Sequence, residues 1–164
     1  NITIEPNVIN EYPAYRFNTP SKYNGSIAYV FGKKGLLSLD YTQVNYDKSK
    51  FNEPNDTYLN NQNSLITSNL DSSGILKIGG EYRFGNYSIR GGFIEEGASL
   101  KTFDNSRTSK SIGAGINFGG STLDLSVVSS ERINQQLLFS TGLIDKIDLK
   151  KEVLTIGLTY SLKF

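Results

Sequence analysis

Three features of this sequence predict an all-β fold, an antiparallel up-and-down β-barrel that crosses a membrane. The last twelve residues alternate strictly between apolar and small polar side chains. A Phe-Gly ending recurs before tight turns, and short turns on one side alternate with long loops on the other.

The alternation is clearest over residues 153–164, V-L-T-I-G-L-T-Y-S-L-K-F. One parity carries Leu154, Ile156, Leu158, Tyr160, Leu162 and Phe164. The other carries Val153, Thr155, Gly157, Thr159, Ser161 and Lys163. A tilted strand needs about 9–11 residues to cross a bilayer, and this segment is long enough.

Three earlier segments end in the same way: S-I-A-Y-V-F-G at 26–32, G-G-E-Y-R-F-G at 79–85 and I-G-A-G-I-N-F-G at 112–119. Each runs into a turn (32–35, 85–86 and 119–120) rich in residues that accept positive φ. New strands then begin at 36–46, 87–95 and 121–130, and the longer connections fall at 47–73, 96–109 and 131–150. Phe31, Phe84, Phe118 and Phe164 then lie at one height on descending strands, as an aromatic girdle at the periplasmic interface.

Placing Phe164 against lipid sets the facing of the other strands. Ile27, Tyr29, Phe31, Leu76, Ile78, Tyr82, Phe84, Ile112, Ala114, Ile116 and Phe118 point outward on descending strands. On ascending strands Leu37, Leu39, Tyr41, Tyr87, Ile89, Phe93, Leu123, Leu125 and Val127 do so. Asp40, Lys77, Glu81, Arg83, Arg90 and Asp124 then point into the lumen. An Arg or Lys facing lipid near the midplane costs about 2–4 kcal/mol, so the facing that avoids it wins. A two-residue turn at Gly85-Asn86 would pair Phe84 with Tyr87 and set Glu81 opposite Arg90, a complementary cross-strand pair. The six lumen charges read either as a network bracing the barrel wall or as the lining of a solute path.

Composition narrows the function. With 17 basic and 16 acidic residues the net charge is +1, which gives no reason to expect a nucleic-acid partner. There is no cysteine for disulfides or thiolates and no histidine to serve as metal ligand or general base. No spacing singles out a Ser-Lys pair, and Asp145, Asp148 and Glu152 lack the pattern of a calcium loop. No enzyme, metal or cofactor is therefore expected. Ten Tyr and nine Phe beside a mean hydropathy of −0.33 fit a barrel, whose strands alternate apolar-out and polar-in.

The 47–73 connection is too long to be structureless. Tyr58, Leu59, Leu65, Ile66 and Leu70 recur at helical spacing after a cap at Asp56 or Thr57, which predicts a loop helix near 56–70 over the extracellular mouth. Tyr58, Leu59, Leu65 and Leu70 are the expected hydrophobic capture surface. Lys101 and Arg107 read as solvated loop residues. Residues 15–18 read as the upper end of the first descending strand, bent at Pro20.

The count is seven strands, the first and last both descending, whereas a closed single-chain bacterial barrel normally has an even number. Either an N-terminal portion of the barrel lies outside this chain, or residues 2–9 add a short eighth strand.

The segment Y-R-F-N-T-P-S-K-Y-N-G-S-I-A-Y-V-F-G followed by L-L-S-L-D-Y resembles FadL-type outer-membrane transporters of long-chain fatty acids and aromatic hydrocarbons. So does the order of a loop helix, I-L-K-I-G-G-E-Y-R-F, Y-S-I-R-G-G-F and a closing strand ending at Phe164. The likeness covers nearly all of residues 1–164, as the C-terminal half of such a protein. Family members have fourteen strands, so seven would be half a barrel. The resemblance implies passive uptake of hydrophobic small molecules at the bacterial outer membrane. It also implies a plug and lateral opening in the other half, so no ligand-binding residue carries over. Expected partners are outer-membrane lipid, the barrel-assembly machinery through the C-terminal strand, the N-terminal remainder of the barrel and a hydrophobic ligand. Some relatives are accessory barrels in larger complexes, which keeps a partner-binding role through the loops as the alternative.

Overall fold

In the computed structural model, residues 14–139 and 145–163 are described. The elements in chain order are β1 (Phe17–Asn18), β2 (Ser21–Val30), β3 (Gly35–Asn45), a 3₁₀ turn (Tyr46–Lys48), β4 (Lys50–Phe51) and helix α1 (Thr57–Asn69). They continue as β5 (Ser72–Phe84), β6 (Tyr87–Glu96), β7 (Arg107–Asn117), β8 (Ser121–Leu137) and β9 (Lys146–Leu162). The seven long strands form one antiparallel sheet in the order β2-β3-β5-β6-β7-β8-β9, and β1 pairs with β4 beside it. The chain is thus all-β and antiparallel, with the seven expected strands in their expected order. Phe164 and residues 2–9, on which the girdle's fourth member and an eighth strand depend, lie outside the described residues.

The tight turns form where the sequence places flexible residues. Gly32, Gly85 and Gly119 have φ of 55°, 59° and 89°, a region that side chains rarely adopt. At Gly85-Asn86 the turn pairs Phe84 with Tyr87 and Glu81 with Arg90, as the sequence requires.

Register separates the two faces of the sheet. One row runs Tyr29, Leu37, Gly80, Gly91, Ile112, Val127, Ile156. The next two residues along each strand continue the apolar face, including Tyr82, Ile89, Leu125 and Leu158. All of the described residues expected to point outward share this face. The six expected lumen charges share the other.

Neither face is covered by the described residues. Among the described residues no hydrophobic side chain is buried, and Leu158 is 71% exposed. The chain exposes 12734 Å², whereas a compact folded chain of its 18.2 kDa would expose about 8,100 Å². An apolar face of this size is an unfulfilled contact.

The register also shows how the strands slant. Phe31 meets Gly35, whose row continues to Tyr82, so Phe84 lies two residues further toward the turns. The Phe84 row continues through Tyr87 to Ile116, so Phe118 lies two residues further again. Phe118 meets Ser121, whose row ends on Leu162, two residues before Phe164 in the sequence. The three described phenylalanines therefore do not share a row across the sheet. They step by two residues per hairpin, one per strand. At about 3.3 Å per residue and 4.8 Å between strands, that step is a slant of about 35°.

Three boundaries differ from expectation. Phe17–Asn18 pairs with β4 instead of extending β2. Arg107, expected in a loop, already belongs to β7. The connection placed at 131–150 is mostly sheet: β8 and β9 stay paired from Ser121↔Leu162 up to Leu137↔Lys146. This upper hairpin has no apolar side: charged and amide side chains lie on both faces, and its few apolar residues are split between them, Ile133 and Leu137 on one and Ile147 and Leu149 on the other. Without an apolar side the alternation that betrays a strand is missing.

Candidate functional site

The polar face gathers four of its six predicted charges into one chain of contacts. Glu81 accepts from Arg83, two residues away on the same strand, and from Arg90 Nε at 2.7 Å across the ladder. Arg90 Nη1 reaches over β7 to Asp124 Oδ1 at 2.6 Å. The reach is made possible by glycine. Arg90 pairs with Gly113 and Asp124 with Gly115, so β7 presents no side chain between them. A Cβ at Gly115 would overlap Asp124 Oδ1 and come within 2.6 Å of Ser88 Oγ. Arg83, Arg90, Asp124 and Lys163 line a cavity of about 320 Å³ at the turn end.

Asp40 stands apart from this chain. It accepts from Ser26 Oγ and from Asn24 Nδ2 at 3.2 Å, and Asn24 also donates to Thr42 Oγ1 at 2.8 Å. Lys77 is its register partner but makes none of the described ion pairs. Between the two clusters the polar face is small-sided, with Ala28, Ser38, Gly79, Gly92 and Ser111 in one row.

At the loop end, α1 begins where predicted. Asp56 Oδ1 accepts from the Leu59 N–H at 3.0 Å, which makes Asp56 rather than Thr57 the cap. Asn63 clamps the helix to β4: its Oδ1 accepts from Phe51 N at 2.7 Å and its Nδ2 donates to Phe51 O at 2.9 Å. Lys101, expected to be merely solvated, closes the other end. Its Nζ donates to Thr67 O at 2.7 Å and its backbone N–H to Asn69 O at 2.9 Å, which satisfies two terminal carbonyls of the helix. Beneath, Asp47 accepts from Ser72 and pairs with Lys48 at 3.1 Å, and the Lys48 ammonium holds its carboxyl below the ordinary carboxylate range.

The four residues expected to form a capture surface are not brought together. Tyr58 and Leu59 border a depression of about 790 Å³ with Tyr15. Leu65 lies two turns along and Leu70 ends the helix, bridged to Leu100. A one-dimensional spacing places Leu65 near Tyr58, but 3.6 residues per turn carries it about 10 Å along the axis. The aromatic support was missed. Phe51 contacts Phe17 at 4.7 Å and Tyr15 at 5.5 Å between ring centroids, and it depends on the two-residue β1–β4 ladder that no periodicity reveals.

No family model, curated protein or solved structure matches this chain.

Proposed function

We propose that this chain is the C-terminal half of a bacterial outer-membrane β-barrel of the FadL type, which lets hydrophobic small molecules such as fatty acids pass inward without chemistry. One observation carries the reading. The apolar face is a belt whose lower edge steps by two residues at every hairpin, in line with Phe31, Phe84 and Phe118. A belt slanted by about 35° against the strands is level when the strands themselves tilt by that amount, the tilt of transmembrane barrels. The three phenylalanines then mark the periplasmic interface and the polar face lines the lumen.

Strand direction says what would close such a barrel. β2 and β9 both run toward the tight turns, so joining them directly, or to a second copy of this sheet, would need parallel seams. An odd number of further strands makes both seams antiparallel. Seven, giving fourteen in all, satisfies this, and the N-terminal remainder of the barrel is the natural source. Outer-membrane lipid would cover the apolar face, and the closing strand would present its edge to the barrel-assembly machinery.

The chain has no tryptophan, so a single introduced one reports its own surroundings. In vesicles containing brominated lipid, Leu158→Trp fluorescence should be quenched strongly and that of Thr159→Trp weakly. Equal quenching of the two would exclude the barrel reading. For transport, Tyr58→Ser with Leu59→Ser should lower uptake of a fluorescent fatty acid severalfold while Leu65→Ser leaves it unchanged.

The overhanging β8–β9 hairpin favours a second reading, an accessory barrel that binds partner proteins through its loops. Replacing residues 134–149 by a two-residue turn should leave uptake intact under the first reading. Under the second it should release co-purifying partners.

A further inference from the structure

The upper part of the polar face carries three cations in one row across three strands. Arg107 of β7 stands opposite Arg132 of β8, and Arg132 stands opposite Lys151 of β9. Like charges placed directly opposite one another weaken a ladder. None of the three makes an ion pair among the described residues.

The surroundings do not neutralise the row. Glu131 and Glu152 are neighbours in sequence, but alternation turns them to the other face, where both bind Lys150 at 3.0 Å. Glu96 is the register partner of Arg107 on its other side, without an ion pair to it. Three cations against one carboxylate leave the row with a net charge of +2. The adjoining row adds hydroxyls: Ser109, itself buried, lies 2.7 Å from Ser130, Oγ to Oγ. A depression of about 330 Å³ lies over Arg107, Ser130, Arg132 and Lys151, and Glu131, whose carboxylate is engaged by Lys150, also borders it.

We propose that this row binds a phosphoryl group. Two guanidinium forks, an ammonium and the Ser130 hydroxyl offer many donors, and a phosphate has three terminal oxygens to accept them. Its charge of nearly −2 matches the row, whereas one carboxylate would leave a cation unanswered. The site depends only on strand register and facing, so it stands or falls apart from the transport reading.

The test uses the full chain in nonionic detergent, with thermal unfolding and phosphorus NMR as readouts. Inorganic phosphate should raise the unfolding midpoint, whereas chloride and acetate at equal ionic strength should not. Arg132→Gln should weaken phosphate binding about tenfold, the loss of one charge-assisted pair. Because it also relieves repulsion in the ladder, its midpoint without phosphate should be unchanged or higher, which separates lost binding from lost folding. Lys151→Gln, at the outer strand of the sheet, should weaken binding in the same direction. Tighter binding of phosphatidic acid in mixed micelles than of inorganic phosphate would identify a lipid headgroup as the source. The reverse order would identify a free phosphate or phosphate ester. An equal response to chloride, acetate and phosphate would overturn the proposal, as would unchanged phosphate affinity in both variants.

Discussion

Gly115 shows how a missing side chain can carry an interaction. Arg90 and Asp124 sit on strands that are not neighbours, and their 2.6 Å contact exists because β7 offers glycine at both register positions beneath it. Gly115→Val should therefore displace Asp124 and cost about 1–3 kcal/mol in stability, the usual penalty of overpacking. Urea unfolding of the chain in detergent would measure it. The same substitution in an Asp124→Ala background should cost clearly less, because the two positions share one contact. The Glu81–Arg90 pair was legible from a turn residue count. The Arg90–Asp124 pair was not, because it skips a strand.

At the scale of the element, α1 depends on polar contacts more than on an apolar stripe, since none of its residues is buried. Asp56→Ala should weaken it by about 1 kcal/mol through loss of the cap. Asn63→Leu should free β4 from the helix while leaving its pairing with β1, because both Asn63 contacts go to the Phe51 backbone. Amide exchange at Phe51 and along the helix would separate these two outcomes. Asp47 adds a pH dependence. Lys48 lowers its pKa below the unfolded value, so its stabilising contribution is present above the ordinary carboxylate range and is lost as pH falls through the lowered value. The 3₁₀ turn should loosen in acid, and Asp47→Asn should remove that acid step in an NMR titration of Ser72. The helix was legible from its cap and spacing. Its anchorage by Lys101 was not, because the partners are 34 residues apart in sequence.

At the scale of the whole molecule, the decisive property is an apolar belt with no buried hydrophobic core among the described residues. A sheet with one apolar and one polar face, and two outer strands without a partner among the described residues, cannot satisfy itself in water. The belt needs a lipid or protein cover and the edges need strands. Reconstitution should follow this logic: in lipid vesicles the chain should resist protease longer when joined to the seven strands proposed to complete the barrel than it does by itself. The slant of the sheet, one residue per strand, accumulates over the whole array and is invisible in any single segment.

Phe31, Phe84, Phe118 and Phe164 were the thread through the sequence, and they determined strand count, direction and facing, because side chains alternate with period two wherever one face is apolar. The polar upper hairpin escaped for the same reason in reverse. Only the tertiary structure decided the register, and with it the two-residue step that separates Phe31, Phe84 and Phe118 row by row. It also decided which charges touch and that Arg107, Arg132 and Lys151 share a row. Pairing is a relation between strands, set by turn lengths and by hydrogen bonds across the ladder, and one strand's pattern does not contain it.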